Sequence, residues 1–294
     1  MREKVTITAI KARKQGPRLT MVTAYDAPMA HIVDLAGIDM ILVGDSLATA
    51  VLGYEDTLPA TVDIMIHHSA AVSRAKPASL IVTDMPWLSY HTSTEEAVRN
   101  AGRLIREGHA GAVKLEGGRK RLPVVKAILD AEIPVVGHLG LTPQSVHAMG
   151  GYRVQGKDSQ AARALLDDAI ALAEAGIFAL VLEGIPDTLA ELITSEIAIP
   201  TIGIGAGARC DGQVLVFHDV LGMSDQRLAK FVRQYAHLMD DATAALKQYS
   251  ADVQAGTFPA ESETYHMNNA IIEELRAERA IETGTTSHQI GVDE

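Results

Sequence analysis

The chain has 294 residues, 47% hydrophobic and 21% charged, the balance of a globular protein with a sizeable core. With 37 acidic and 26 basic residues its formal charge is -11, and no Lys/Arg stripe with interleaved aromatics runs along it, which excludes a nucleic-acid surface. The single cysteine, Cys210, excludes an internal disulfide framework and a structural zinc cluster and fits a reducing compartment, with cytoplasm the expectation; no run is apolar enough to span a membrane, and residues 1–15 lack the apolar stretch of a secretory signal.

In chain order, residues 6–13 read as a short amphipathic helix ended by Gly16-Pro17, a plug ahead of the main fold. Residues 19–23 form an apolar strand. Asp26-Ala27-Pro28 opens a helix to Ala36, with aspartate as N-cap, proline in the first turn and Gly37 as the stop. Then comes Ile41-Leu42-Val43-Gly44-Asp45-Ser46, an apolar run too short for a buried helix that ends in a carboxylate and a hydroxyl. Such a run reads as a parallel strand covered on both faces, with polar groups delivered at its carboxyl end.

The same design recurs in Leu80-Ile81-Val82-Thr83-Asp84, Ala112-Val113-Lys114-Leu115-Glu116, Val135-Val136-Gly137-His138 and Leu180-Val181-Leu182-Glu183. Between these strands, helices are expected over residues 62–75, from a Thr94-Glu95-Glu96 cap to Glu107, and over 119–131 and 159–175. Another spans 186–196, followed by the strand 199–205 and a last strand, 214–217. Residues 47–61 exceed a usual βα connection and form a candidate active-site loop; residues 142–156 read as a polar, glycine-bearing lid. Roughly eight strand-helix alternations from Leu19 to about Lys247 match a (β/α)₈ TIM barrel. A doubly wound sheet is the runner-up, but it would gather its polar residues at one switch point, and here they end many successive strands. The expected organisation is one barrel domain over residues 1–250 and a polar extension over 251–294, with one helix near 268–280 and a disordered tail from residue 282.

In a barrel, Asp45, Asp84 and Glu116 converge on adjacent sectors of one rim, where three carboxylates repel unless a cation neutralises them. Hard oxygen ligands, without cysteine or zinc-spaced histidine, favour Mg²⁺ or a relative; the competing reading is that each acid caps the following helix. Lys114 lies two residues from Glu116, so both face the barrel interior. It could pair with Glu116 alone, hold a substrate carboxylate or oxyanion by charge, or form a Schiff base, and its position does not choose. Glu183 ends an otherwise apolar strand, which suits a general base that collects a carbon-bound proton, or a partner of a buried cation. Ser46 is either a donor to a substrate carboxylate or an N-cap, and His138 either a polar ligand or a satisfied core histidine. Gly203-Ile204-Gly205-Ala206-Gly207 lacks dinucleotide-fingerprint spacing and reads as a tight turn or close backbone approach.

Taken together, Val43-Gly44-Asp45-Ser46-Leu47, Thr57-Leu58-Pro59, Val113-Lys114-Leu115-Glu116-Gly117-Gly118, Gly137-His138-Leu139-Gly140-Leu141-Thr142-Pro143-Gln144, Gly150-Gly151-Tyr152 and Ile202-Gly203-Ile204-Gly205-Ala206-Gly207 resemble the ketopantoate hydroxymethyltransferase family. The likeness runs from about Leu19 to Met223, with Thr257-Phe258-Pro259 similar to a late family motif. It departs at Ala48, where glycine is usual, and at Glu55-Asp56. The resemblance implies a TIM barrel of the phosphoenolpyruvate/pyruvate type, a cytoplasmic homo-oligomer, decameric as in the family, one Mg²⁺ per subunit, and 5,10-methylenetetrahydrofolate as one-carbon donor to 3-methyl-2-oxobutanoate. It assigns Asp45, Asp84 and Glu116 to the metal, Asp45, Ser46, Asp84 and Lys114 to the ketoacid, and Glu183 to the base that forms a metal-stabilised enolate. A lyase or mutase of the isocitrate lyase/phosphoenolpyruvate mutase barrels is the alternative; their usual Lys-Lys/Arg-Cys-Gly-His stretch is absent here.

Overall fold

In a computed structural model that describes residues 2–224 and 228–282, eight short strands alternate with helices. They are β1 (Leu19–Thr23), β2 (Met40–Val43), β3 (Leu80–Asp84), β4 (Ala112–Glu116), β5 (Val135–Gly140), β6 (Ala179–Glu183), β7 (Thr201–Ile204) and β8 (Gly212–Leu215). Each pairs in parallel with its sequence neighbour, and β8 returns to β1 with Met21 opposite Val214, closing the barrel. The (β/α)₈ expectation is met.

The two-residue period of each strand sorts its side chains. Val113 and Leu115 of β4 join the core under the helices, whereas Ala112 joins the barrel interior with Met40, Leu42, Leu80, Val82, Val136 and Val181. Continuing that inward register places Lys114 and Glu116 above Ala112, Asp84 above Val82, His138 above Val136 and Glu183 above Val181. Apolar residues therefore fill the amino-terminal half of the barrel, and ionisable groups crown the other.

The amino-terminal end is shut by the helix Ile7–Lys11, capped by Thr6 and planting Ile10, 1% exposed, among Leu19, Met21 and Ile202. Buried Asp211 fastens this plug by accepting from Lys14 Nζ, Gln15 N and Thr201 N at 2.9 Å each. The outer helices begin largely where capping chemistry places them; Asp26 Oδ1 accepts from Met29 N at 2.8 Å.

Several boundaries differ from the sequence reading. The cap of Thr94–Arg106 is Ser93, whose Oγ accepts from Glu96 N, because Thr94 already carries helical geometry. The last strand is Gly212–Leu215; Phe217 instead starts the helix Phe217–Val220, its N–H donating to Thr23 Oγ1 at 2.9 Å. The loop 47–61 opens with a helical turn, Leu47–Ala50.

The chain divides into two compact units, Met1–Met239 and Asp240–Glu294. Helix Leu238–Ala255 runs through residue 250, where the sequence reading put the domain boundary, and Asn269–Glu282 follows. Leu246, Tyr249 and Val253 form an exposed apolar row along the first of these helices, and Tyr249 meets the Phe258 ring edge-on at 5.5 Å. Of the tail expected over residues 282–294, Glu282 closes the last helix and residues 283–294 lie outside the described residues.

Candidate active site

At the carboxyl ends of the strands, a cavity of about 110 Å³ is lined by Asp45, Ser46, Asp84, Lys114, Glu116, His138 and Glu183, every site residue named from the sequence. Leu42, Val181, Ile204, Val214 and Leu215 supply an apolar wall. A wider concavity of about 840 Å³ opens at the opposite end of the barrel beside Arg2, Lys4, Lys76 and His109, with Asp34 the one acid among its described lining residues. In this fold chemistry belongs to the carboxyl face, so the smaller cavity is the site.

Its carboxylates are held one oxygen at a time. Asp84 Oδ2 accepts from Asp45 N at 3.0 Å, while Asp84 Oδ1 faces Lys114 Nζ at 3.0 Å without hydrogen-bond alignment and has no other partner. Asp45 Oδ2 accepts from Gln144 Nε2 at 2.8 Å, and Glu116 Oε2 from Gln144 N at 3.1 Å. Burial, followed by the charges of Asp84 and Glu116, pushes the Asp45 carboxyl well above its ordinary pKa, against smaller opposing effects of Lys114 and Gln144.

Lys114 has the reverse balance. Burial alone would lower its ammonium, but Asp84, Glu116 and Asp45 outweigh burial and hold it above the ordinary lysine value. Among the described residues no three acid, thiol or imidazole groups already surround a common point in ligating geometry; Lys114 supplies the positive charge among the acids.

His138 resolves the choice left open for it. Its Nδ1 lies 3.4 Å from Glu116 Oε1 and its Nε2 3.3 Å from Glu183 Oε2. Burial and the Lys114 charge pull its pKa down, yet Glu116 and Glu183 carry it up to about 9; its Nδ1 also lies 3.3 Å from Lys114 Nζ, and Nε2 makes no aligned hydrogen bond. Glu183 itself is only partly covered, with its edge open to the cavity. The close approach at this corner requires glycine: Gly140, at φ +97°, has no room for a Cβ, which would fall 2.2 Å from Glu183 O.

Sequence reasoning missed three side chains. Tyr25 OH pairs with Ser46 Oγ at 2.9 Å, an arrangement that makes Ser46 a positioned hydroxyl; it makes no side-chain cap bond to the following helix. Tyr90 OH donates to Gln144 Oε1 at 2.6 Å. Their only signal was position, just past strands that end in charge. The glycine run after β7 is packing, as expected: a Cβ on Gly207 would lie 2.4 Å from that of Asp187.

Fold and site together define a (β/α)₈ barrel enzyme that gathers carboxylates, one lysine and a histidine flanked by two glutamates in a single small cavity. The profile of one family, Ketopantoate hydroxymethyltransferase, matches residues 4–261, and the chain belongs to that family. It is a transferase. Curated relatives named 3-methyl-2-oxobutanoate hydroxymethyltransferase include those of Syntrophomonas wolfei, 55% identical over 92% of this chain and 99% of the relative, and Moorella thermoacetica, 56% identical over 90% and 98%. Among solved structures, 2,3-dimethylmalate lyase, a PEP mutase/isocitrate lyase superfamily member, aligns with TM-score 0.54 at 15% identity over 99% of both chains. A phosphonopyruvate hydrolase complex with oxalate and Mg²⁺ aligns with TM-score 0.56 at 13% identity, over 96% of this chain and 98% of that one. These two likenesses are of fold.

Proposed function

We propose that the chain transfers a hydroxymethyl group from 5,10-methylenetetrahydrofolate to 3-methyl-2-oxobutanoate, giving 2-dehydropantoate, the first committed step of pantothenate and coenzyme A synthesis. The observation that carries this reading, beside family membership, is the convergence of Asp45, Ser46, Asp84, Lys114, Glu116 and Glu183 on one cavity with an apolar wall. At about 110 Å³ it suits a small ketoacid, being well below the roughly 300–1,000 Å³ of sites for drug-sized ligands.

The donor set fits Mg²⁺. Asp45, Asp84 and Glu116 offer only oxygens, Asp84 Oδ1 is buried with Lys114 as its one neighbour, and the mutual repulsion felt by Asp45 calls for a cation. Asp45, Asp84 and Glu116 would hold the ion, which when bound supplies Lewis-acid polarisation of the ketoacid.

The protein does the rest. Lys114 and the Ser46 hydroxyl, steadied by Tyr25, hold the ketoacid carboxylate, and the apolar wall receives its isopropyl group. Glu183, whose Oε2 lies 3.3 Å from His138 Nε2, takes the C3 proton. The resulting carbanion equivalent attacks the methylene carbon of the folate: one carbon-carbon bond forms, both carbon-nitrogen bonds of the methylene bridge break, water supplies the hydroxyl oxygen through a new carbon-oxygen bond, and tetrahydrofolate departs with the C3 proton and one water proton on its two nitrogens. The family resemblance supports assembly as a cytoplasmic homodecamer.

Turnover of ketoacid with methylenetetrahydrofolate tests the reading. Product should appear only with both substrates, stop in excess chelator and return on adding Mg²⁺. Full activity in chelator would remove the metal, and no product under any condition would remove the reaction.

A further inference from the structure

We infer that Gln144 is a positioning residue that presets the acid cluster to receive its cation, and that Tyr90 fixes which way the Gln144 amide points. The inference rests on the metal reading above.

Proton counting orients the amide. The Tyr90 oxygen accepts the Glu116 backbone N–H at 3.2 Å, so its one proton goes to Gln144 Oε1 at 2.6 Å. With Oε1 assigned as acceptor, Nε2 must donate, and it has two acceptors: Asp45 Oδ2 at 2.8 Å and Met85 O at 3.0 Å. The backbone N–H of the same residue donates to Glu116 Oε2 at 3.1 Å. One glutamine, 5% exposed, thus spans the ends of three strands and engages two of the three carboxylates.

The choice of residue type follows. Each contact occupies a single oxygen, so Asp45 keeps Oδ1 for a ligand. A neutral amide holds the acids together without cancelling their charge, where a lysine would compete with the cation and a glutamate would add repulsion. Because both Tyr90 and Gln144 are buried, the bonds are unscreened and the amide cannot turn without stranding Nε2 against the phenol. Gln144 also heads the segment 142–156, so the polar loop and the acids share one fixed point.

The test titrates Mn²⁺ into metal-free, full-length protein and follows free Mn²⁺ by electron paramagnetic resonance, with thermal unfolding of each variant as the fold control. Gln144→Met keeps the volume and removes the amide; its Mn²⁺ dissociation constant should rise about tenfold to a hundredfold, the range for partners that orient metal ligands. Its kcat should fall while KM for the folate donor stays near wild type. Tyr90→Phe keeps the ring and should shift Mn²⁺ affinity the same way by a smaller factor, which serves if Gln144→Met does not fold. Gln144→Glu, of nearly the same shape, should not rescue binding. Wild-type Mn²⁺ affinity in the folded Met variant, or in Tyr90→Phe if the Met variant does not fold, overturns the inference alone. Absence of Mn²⁺ binding by the wild type overturns the metal reading and this inference with it.

Discussion

The ammonium of Lys114 stands 3.0 Å from Asp84, both side chains almost wholly buried, at a point where β3 and β4 pair Asp84 directly with Lys114. A cation in that position is fixed by the sheet register itself, not by a flexible reach across the cavity. Three acids keep it charged, and a charged amine is not a nucleophile.

Lys114 should therefore act by charge and form no imine. Borohydride added with ketoacid is expected to leave the protein mass unchanged, and a reduced adduct on Lys114 would overturn the assignment. Lys114→Met should lower kcat/KM for the ketoacid by about thirtyfold to several thousandfold, because it strips the partner from a buried carboxylate, a loss worth about 2–5 kcal/mol.

For Glu183 the decisive measurement omits folate. Proton removal from C3 needs only the ketoacid half of the site, so the wild type should exchange that proton with deuterated water, seen as loss of the C3 signal by NMR. Glu183→Gln keeps the shape but not the basic oxygen, and exchange and turnover should both drop by about 10²–10⁴-fold. Ketoacid binding should persist through Lys114. Exchange at the wild-type rate in the Gln variant would show that Glu183 is not the base.

The plug offers a prediction about stability. Burial alone would raise the Asp211 carboxyl, but the N–H groups of Thr201 and Gln15 and the Lys14 ammonium hold it below its ordinary pKa of 3.8. A carboxyl depressed on folding stabilises the fold above its unfolded pKa and loses that contribution as pH falls through the folded value. Asp211→Asn should then cost about 3 kcal/mol at neutral pH, and the gap to wild type should narrow as acid protonates Asp211. Equal urea midpoints at pH 7 would refute this.

What the sequence made legible was whatever the strand period governs. Lys114 and Glu116 had to share a face, and Asp84 and Glu183 had to end their strands pointing inward, because a two-residue repeat leaves no choice. Tyr90 and Gln144 sit on connections whose paths are set by tertiary contacts, so no spacing announced that they would meet. His138 stayed undecided for a related reason: its role depends on Glu116 and Glu183, from neighbouring strands, reaching it from two sides. Phe217 was drawn into the last strand by its apolar character, whereas Thr23 turns the chain there by accepting its N–H.

Ile10 and the apolar layers above it close the amino-terminal end of the barrel, so that among the described residues the acid-lined cavity lies at the carboxyl face. Two reactants that share that face cannot exchange places inside. Under the proposed reaction, the ketoacid, with its reacting carbon against Glu183, would be seated before the bulkier folate arrives over it, and its elongated product would leave after the spent folate. Initial-rate and product-inhibition patterns are expected to be those of compulsory order, with a timetable imposed by a small hydrophobic stopper at the far end of the molecule.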